Sequence, residues 1–380
     1  RFKYFNDNWG KYSILDLGTM NRGISKHRPR DDEKLYGGEY PFIQTSNVKN
    51  SNLFITDFDK TYSDIGLKQS KLWKKGTLCI TIAANIADTA LLGIDACFPD
   101  SIIGWNSNNL TSNLFIKYYF DFYKNSLIKL SVGGAQDNLN LDKLKKLKLS
   151  IPSLPEQEKI KLFLQKLDER IETQIKIIDD LKVQKNYIIT LLLDKLQNKK
   201  YIQLSDILDE YSEKTSSNDE FPVLSSTASG VFLQSEYFNK EAASADTTGY
   251  KIIPRGYCTY RSMSDTGHFT FNQQNILDKG IISPAYPVFY SKKYLNEFVI
   301  LYLNYSNQIK KQIIELKTGG TRFALSFKTL SSFKIPEVDI FTQQNILKII
   351  SSLSKKIDNE NNVYSVLIKE KMYLLNNMFI

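Results

Sequence analysis

Few residues in this chain could do covalent or metal chemistry. The histidines are His27 and His268, and the cysteines are Cys79, Cys97 and Cys258. Neither histidine has a cysteine or carboxylate at ligand spacing. The cysteines lie too far apart for a zinc site or a disulfide framework, so they read as reduced core residues. Asp31-Asp32-Glu33 reads as a solvated charge run in a loop. A methyltransferase acting on adenine would carry a glycine-rich cofactor loop and an Asn/Asp-Pro-Pro-Tyr-type motif. A motor ATPase would carry G-x-x-x-x-G-K-[ST]. Neither pattern occurs, and the chain has no Pro-Pro pair. No catalytic residue, no metal site and no cofactor of its own are expected.

What remains is recognition chemistry. Arg22, Lys26, Arg28 and Arg30 cluster in a stretch broken by Gly and Pro, suited to phosphate contacts or to an ordinary solvated loop. Thr45-Ser46-Asn47 and Ser225-Ser226-Thr227 follow the first strand of two similar segments. Their short hydrogen-bonding side chains fit base edges or backbone, though polar strand ends are common. Arg261 follows a strand at Tyr257–Tyr260. Gln136 and Arg322 each stand just after a double glycine, Gly133-Gly134 and Gly319-Gly320. Arginine suits guanine and glutamine suits adenine by bidentate pairing, so these equivalent positions would prefer different bases if they face a groove. The 50 Lys+Arg against 41 Asp+Glu, a net charge of +9, lean the same way.

The elements that position these residues come in two copies. Glu156 to Asp194 reads as one long helix, and adding 186 to each number leads without a gap to a second, Thr342 to Ile380. In the first, Ile160, Leu164, Leu167, Ile171, Ile178, Leu181, Ile188 and Leu192 fall at alternating steps of four and three, the heptad spacing of a seam. The second repeats it with Ile346, Ile350, Leu353, Ile357, Tyr364, Leu367, Leu374 and Met378. Both seams are interrupted at the same places, Gln174 with Glu360 and Lys185 with Lys371. Polar seam residues set register, so the helices are expected to pair with each other.

The 186 offset runs unbroken from about Leu114 to Asp194, so the whole chain is a tandem repeat of globule plus helix. Strands are predicted at Tyr40–Val48 and Gly76–Ala84, and helices at Asn113–Leu130 and Ile300–Leu316. Lys75-Gly76-Thr77-Leu78-Cys79 is answered by Arg255-Gly256-Tyr257-Cys258. Ile151–Pro155 is a proline-punctuated hinge, with Pro155 in the first turn of the helix. The expected fold is α+β: globules at 1–152 and 201–335, and long helices at 153–200 and 336–380. The helices would pair as an antiparallel coiled coil about a pseudo-twofold axis. A rod of roughly 50–60 Å results at 1.5 Å per residue, a scale suited to a duplex whose turn is about 34–36 Å. With no apolar run long enough to span a bilayer, the protein is expected to be soluble and cytoplasmic.

Globule, then Ile151-Pro152-x-Leu154-Pro155-Glu156-Gln157-x-x-Ile160 leading into a long helix, then a second globule and helix, resembles the specificity subunit of Type I restriction-modification systems. The double glycine with Leu139 belongs to the same pattern. The second copy is weaker, with Ile335-Pro336 and Gln343-x-x-Ile346 but Phe341-Thr342 where Pro-Glu would stand. The resemblance covers nearly the whole chain. It implies two target-recognition domains reading the halves of a bipartite asymmetric double-stranded DNA target, with the helices measuring the unread spacer. The subunit would be non-catalytic. Two methyltransferase subunits would bring S-adenosylmethionine, and two motor-nuclease subunits ATP and Mg. The residues alone also leave open a stand-alone sequence-specific DNA-binding protein and a coiled-coil scaffold.

Overall fold

The computed structural model describes residues 4–5, 7–131, 139–237, 246–316 and 323–379. They form two compact units, residues 1–177 with 360–380, and residues 178–359. Each unit therefore takes one globule and half of each long helix. Among the described residues no helix is long and apolar enough to cross a membrane.

Unit 1 is built on a five-stranded sheet. Its strands are β1 (Gly18–Arg22), β2 (Phe54–Ile55), β3 (Leu78–Thr81), β4 (Thr89–Leu92) and β5 (Ile102–Ser107), in the spatial order β1-β5-β3-β4-β2. The central strands β3 and β4 are buried at every position, as expected where both faces are covered. Helix α1 (Asn113–Ser131) follows β5 and buries Phe115, Tyr118 and Phe120 on the core. Unit 2 repeats this plan with β6 (Leu208–Glu210), β7 (Cys258–Tyr260), β8 (Phe271–Gln273) and β9 (Val288–Ser291), in the order β6-β9-β7-β8. Each strand has its counterpart: β6 for β1, β9 for β5, β7 for β3 and β8 for β4.

The same small devices hold both copies. Asn113 accepts the Ser107 N–H at 2.6 Å and donates to the Gly76 carbonyl at 2.6 Å. Asn296 accepts the Ser291 N–H at 2.7 Å and donates to the Gly256 carbonyl at 2.9 Å. Gly76 and Gly256 sit at φ of 89° and 83°, the left-handed region that favours glycine, so the match made between their segments holds in the backbone. Each globule is also closed by an antiparallel ribbon of its own ends, Gly10–Ser13 with Lys148–Ile151 and Tyr201–Gln203 with Lys334–Pro336.

Three local readings are corrected. The stretch 40–48 is strand only to Phe42, and Thr45–Asn50 is a short helix. The helix expected over Ile300–Leu316 is two, α3 (Asn296–Tyr305) and α4 (Asn307–Glu315). Ser306 breaks it: its backbone leaves the helix at ψ 126° and its hydroxyl caps α4 by accepting the Gln308 N–H at 3.2 Å. The Asp31-Asp32-Glu33 run is not simply solvated, because Asp32 caps a helical turn at Glu33–Leu35 and His27 Nε2 lies 2.8 Å from its carboxylate.

The long helices run α2 (Leu154–Asp194) and α5 (Ile340–Met378). Their first turns are tied to the globules by equivalent glutamines, both buried. Gln157 donates to the carbonyls of Leu110 at 3.0 Å and Pro152 at 2.9 Å and accepts from the Thr111 hydroxyl at 2.7 Å. Gln343 donates to the Val338 carbonyl at 2.8 Å and accepts the Leu295 N–H at 2.9 Å. In unit 1 the first half of α2 packs on the second half of α5, with Leu167, Ile171 and Leu367 as a buried cluster. In unit 2 Ile346 and Ile350 from the first half of α5 share a core with Ile189 and Leu193 from the second half of α2. Each pairing is thus antiparallel. One of the two matched interruptions also meets: Gln174 Nε2 donates to the Glu360 carboxylate at 2.6 Å and to its carbonyl at 3.1 Å.

The seam reading slips at one point, fully in the first copy and in part in the second. Ile160, Leu164, Ile178, Leu181 and Ile357 are buried as expected. Beyond Lys185 the buried residues are Ile189 and Leu193 rather than Ile188 and Leu192. Beyond Lys371 Leu374 is only partly covered and Leu375 and Phe379 are buried, while the expected Met378 is buried as well. The steps 178, 181, 185, 189 make a 3-4-4 repeat of eleven residues, which unwinds a left-handed supercoil. The buried face thereby turns from the partner helix onto the globule core.

Candidate nucleic-acid interface

The expected contact residues fall into three groups: those left available, those committed to the fold, and those outside the described residues. In unit 1, Arg22 ends β1 and is exposed, as is Lys26 in the loop beyond it. Arg28 curls back on its own loop, donating from Nη1 to the carbonyls of Ser25 and His27 at 2.8 Å each. Arg30 is paired with the Asp100 carboxylate at 2.8 Å. Of the four cations close in sequence, Arg22 and Lys26 have no side-chain hydrogen bond or ion pair among the described residues. Beside them the Lys34 ammonium and the His27 ring hold the Asp32 carboxyl down, from 3.8 to about 2. A depressed acid stabilises the fold above its unfolded pKa, and that contribution is lost as the pH falls through about 2. Lys34→Met is expected to move the Asp32 titration upwards, measured on the side-chain carboxyl by NMR, and an unmoved titration would show that the lysine does not set it.

Asn47 is committed to structure. Its carbonyl oxygen accepts the Gln44 N–H at 2.8 Å and its amide donates to Asp59 at 3.3 Å, closing the start of the short helix. Thr45 and Ser46 open that helix, with Ser46 exposed. Ser225 and Ser226 lie within a hairpin, Leu224–Thr227 with Gly230–Leu233, so the two triplets do not occupy the same kind of element. Gln136 and Arg322 lie outside the described residues.

Unit 2 does gather its candidates. Ser225, Ser226 and Arg261 line one cleft of about 530 Å³, together with Asp265, Thr266, His268 and Tyr286. Ser226 is buried and its hydroxyl accepts from the Asn272 amide at 2.8 Å, which fixes the floor. Ser225 accepts from Gln234 at 3.4 Å. Arg261 and His268 are exposed at the rim. The cleft thus offers a cation, an imidazole and several hydroxyls, a donor-rich surface suited to a polar edge or a phosphate. Sequence reasoning missed Thr266 and His268. The signal was present in Ser264-Asp265-Thr266-Gly267-His268, a polar run holding a glycine at φ 77° directly after a strand.

Cys79, Cys97 and Cys258 are free and buried, and burial pushes the Cys97 thiol up to about 11. Among the described residues no group of three His, Cys, Asp or Glu side chains could hold a metal ion.

A model of the Type I restriction modification DNA specificity domain matches the chain twice, over residues 6–182 and 195–368. The chain belongs to this family. A Haemophilus influenzae protein named as a type I restriction enzyme specificity subunit is 38% identical over 157 residues, 41% of this chain and 40% of that protein. The specificity subunit named MjaX of Methanocaldococcus jannaschii is 26% identical over 117 residues, 30% of this chain and 28% of that one. The sequence matches therefore span well under half of either relative. Solved structures of the family align over the whole fold. The Type I specificity subunit of M. genitalium has a TM-score of 0.53 at 19% identity, covering 100% of this chain and 98% of that one. A chain from a Type I restriction-modification assembly has a TM-score of 0.64 at 12% identity, covering 100% and 99%. Two tandem specificity domains of mixed helix and strand, each with part of a long helix, are thus the family's architecture in this chain.

Proposed function

We propose that this chain is the non-catalytic DNA-reading subunit of a Type I restriction-modification complex, each globule reading one half of a bipartite asymmetric target. The observation that carries the reading is the double occurrence of one sheet order with different side chains at its loops. Two copies of a scaffold with unlike loops suit two unlike half-sites. The net charge of +9 and the donor-rich cleft of unit 2 support a polyanionic ligand.

Two methyltransferase subunits would dock on the chain and methylate adenine with S-adenosylmethionine, and two motor-nuclease subunits would bring ATP and Mg. In support, the long helices expose apolar side chains in matched pairs at the 186 offset: Leu154 with Ile340, Phe163 with Ile349, Ile177 with Val363 and Tyr187 with Tyr373. A surface present twice suits two copies of one partner.

Adenine-methylation mapping by long-read sequencing tests the reading. Cells carrying this chain with a matching methyltransferase subunit are expected to gain a bipartite motif absent from cells with the methyltransferase alone. Co-purification of the two proteins without a new motif would favour a scaffold. The ruler has its own test. Inserting one heptad into each long helix adds about 10 Å, and the unread spacer is expected to lengthen by roughly three base pairs with both half-sites kept. An unchanged spacer would count against a rigid ruler.

A further inference from the structure

Residues 82–88 join β3 to β4 in unit 1, and residues 261–270 join the matching strands β7 and β8 in unit 2. The second connection carries Arg261, Thr266 and His268 and forms a wall of the cleft. The first, Ile82-Ala83-Ala84-Asn85-Ile86-Ala87-Asp88, is mostly apolar and is held unusually firmly. Thr81, fully buried, gives its backbone to the Asp88 carbonyl at 3.0 Å and takes the Ala87 N–H at 2.9 Å. Its hydroxyl contacts the Asn85 carbonyl and accepts the Asp88 N–H at 3.0 Å. The Asp88 carboxylate is paired with Lys124 of α1. Ala84 and Ala87 stand at φ of 60° and 63°, a conformation that residues without a local polar side chain avoid.

One polar group is left over. Thr81 and Asp88 are both engaged, whereas the Asn85 amide has no hydrogen-bond partner among the described residues and is partly exposed at the tip. The amide stands on a backbone fixed by the strained, welded turn, so only its side-chain torsions are left to be ordered on binding. Its donor and acceptor match the N6 and N7 edge of adenine in the major groove. We propose that Asn85 is a base-reading residue of unit 1 and that the 82–88 turn is the counterpart of the cleft wall of unit 2. This rests on the DNA-reading function proposed above.

The test is adenine-methylation mapping in cells that carry the methyltransferase subunit and either the unaltered chain or Asn85→Ala. The variant is expected to lose discrimination at one base pair of one half-site, by roughly 5- to 150-fold in relative methylation rate, with the other half-site and the spacer unchanged. Asn85→Asp keeps the side-chain shape but exchanges the amide donor for an acceptor, and is expected to redirect the same position towards cytosine. A motif unchanged in both variants, beside a methylated wild type, overturns the assignment alone. Absence of any new motif with the unaltered chain overturns the DNA-reading function, and the assignment with it.

Discussion

Lys371→Ala is expected to cost unit 1 about 3–5 kcal/mol of stability, the loss that follows when one partner of a buried ion pair is removed. Lys371 Nζ lies 2.7 Å from Asp168 Oδ1, and the two side chains are only 17% and 4% exposed. The other carboxylate oxygen accepts from the Tyr118 hydroxyl at 2.8 Å. Burial, and then the charge of Asp168, push the Tyr118 phenol far above its ordinary range, so it stays protonated and donates. Removing the ammonium leaves a buried carboxylate with one neutral donor. The repeat supplies a control. The counterparts of Asp168, Tyr118 and Lys371 in unit 2 are Ser354, Asn304 and Lys185, and Lys185 has no ion-pair partner among the described residues. Lys185→Ala is therefore expected to cost under about 1 kcal/mol. The double replacement Asp168→Asn with Lys371→Met removes the stranded charge and is expected to recover much of the loss. Urea denaturation of the four chains measures all of this. A loss near that of Lys185→Ala would mean that water reaches Asp168 and screens it.

The same region shows how far a single sequence carries the argument. The antiparallel contact of Gln174 with Glu360 was legible because both lie on a strict heptad spacing and break it at the same step. Lys371 was legible as an interruption, but its partner was not, since Asp168 lies beside the seam and pairs across 203 residues of chain, 371 minus 168. The slip from Ile188 to Ile189, and from Leu374 to Leu375, was hidden because both residues of each pair are apolar. Which one is buried depends on whether the helix faces its partner or its globule at that height. The sheet order β1-β5-β3-β4 was beyond reach for a related reason: strand neighbours are chosen by long-range pairing, and short strands carry little local signal. The contact residues divide in the same way. Arg261 with Ser225 and Ser226 could be picked by residue type, but whether a cation is available depends on neighbours such as Asp100, which takes up Arg30 from 70 residues away.

Phe379→Ala is the second change with a large expected effect, about 3–5 kcal/mol from unit 1. Phe379 is 2% exposed and sits among four rings. Its centroid lies 5.6 Å from Phe122, nearly parallel, 5.4 Å from Tyr119 and 6.3 Å from Trp9, both edge-on, and 5.6 Å from Phe115. Truncation would remove the apolar area of a whole ring and leave a cavity that four rigid rings cannot collapse to fill. The counterpart in unit 2 is Leu193, 3% exposed in a core of different composition. Phe379→Leu places the residue of one repeat in the other. It is expected to cost clearly less than alanine, about 1–2 kcal/mol, because most of the volume is kept while the ring contacts are lost. The ratio of the two losses is the informative quantity. A leucine as costly as alanine would mean that stacking with Phe122 and the edge contacts, rather than volume, hold the end of α5 on the globule. Equal and small losses would mean that the α5 end contributes little to unit 1, and that Gln174, Glu360 and the Asp168–Lys371 pair hold the helices together without it.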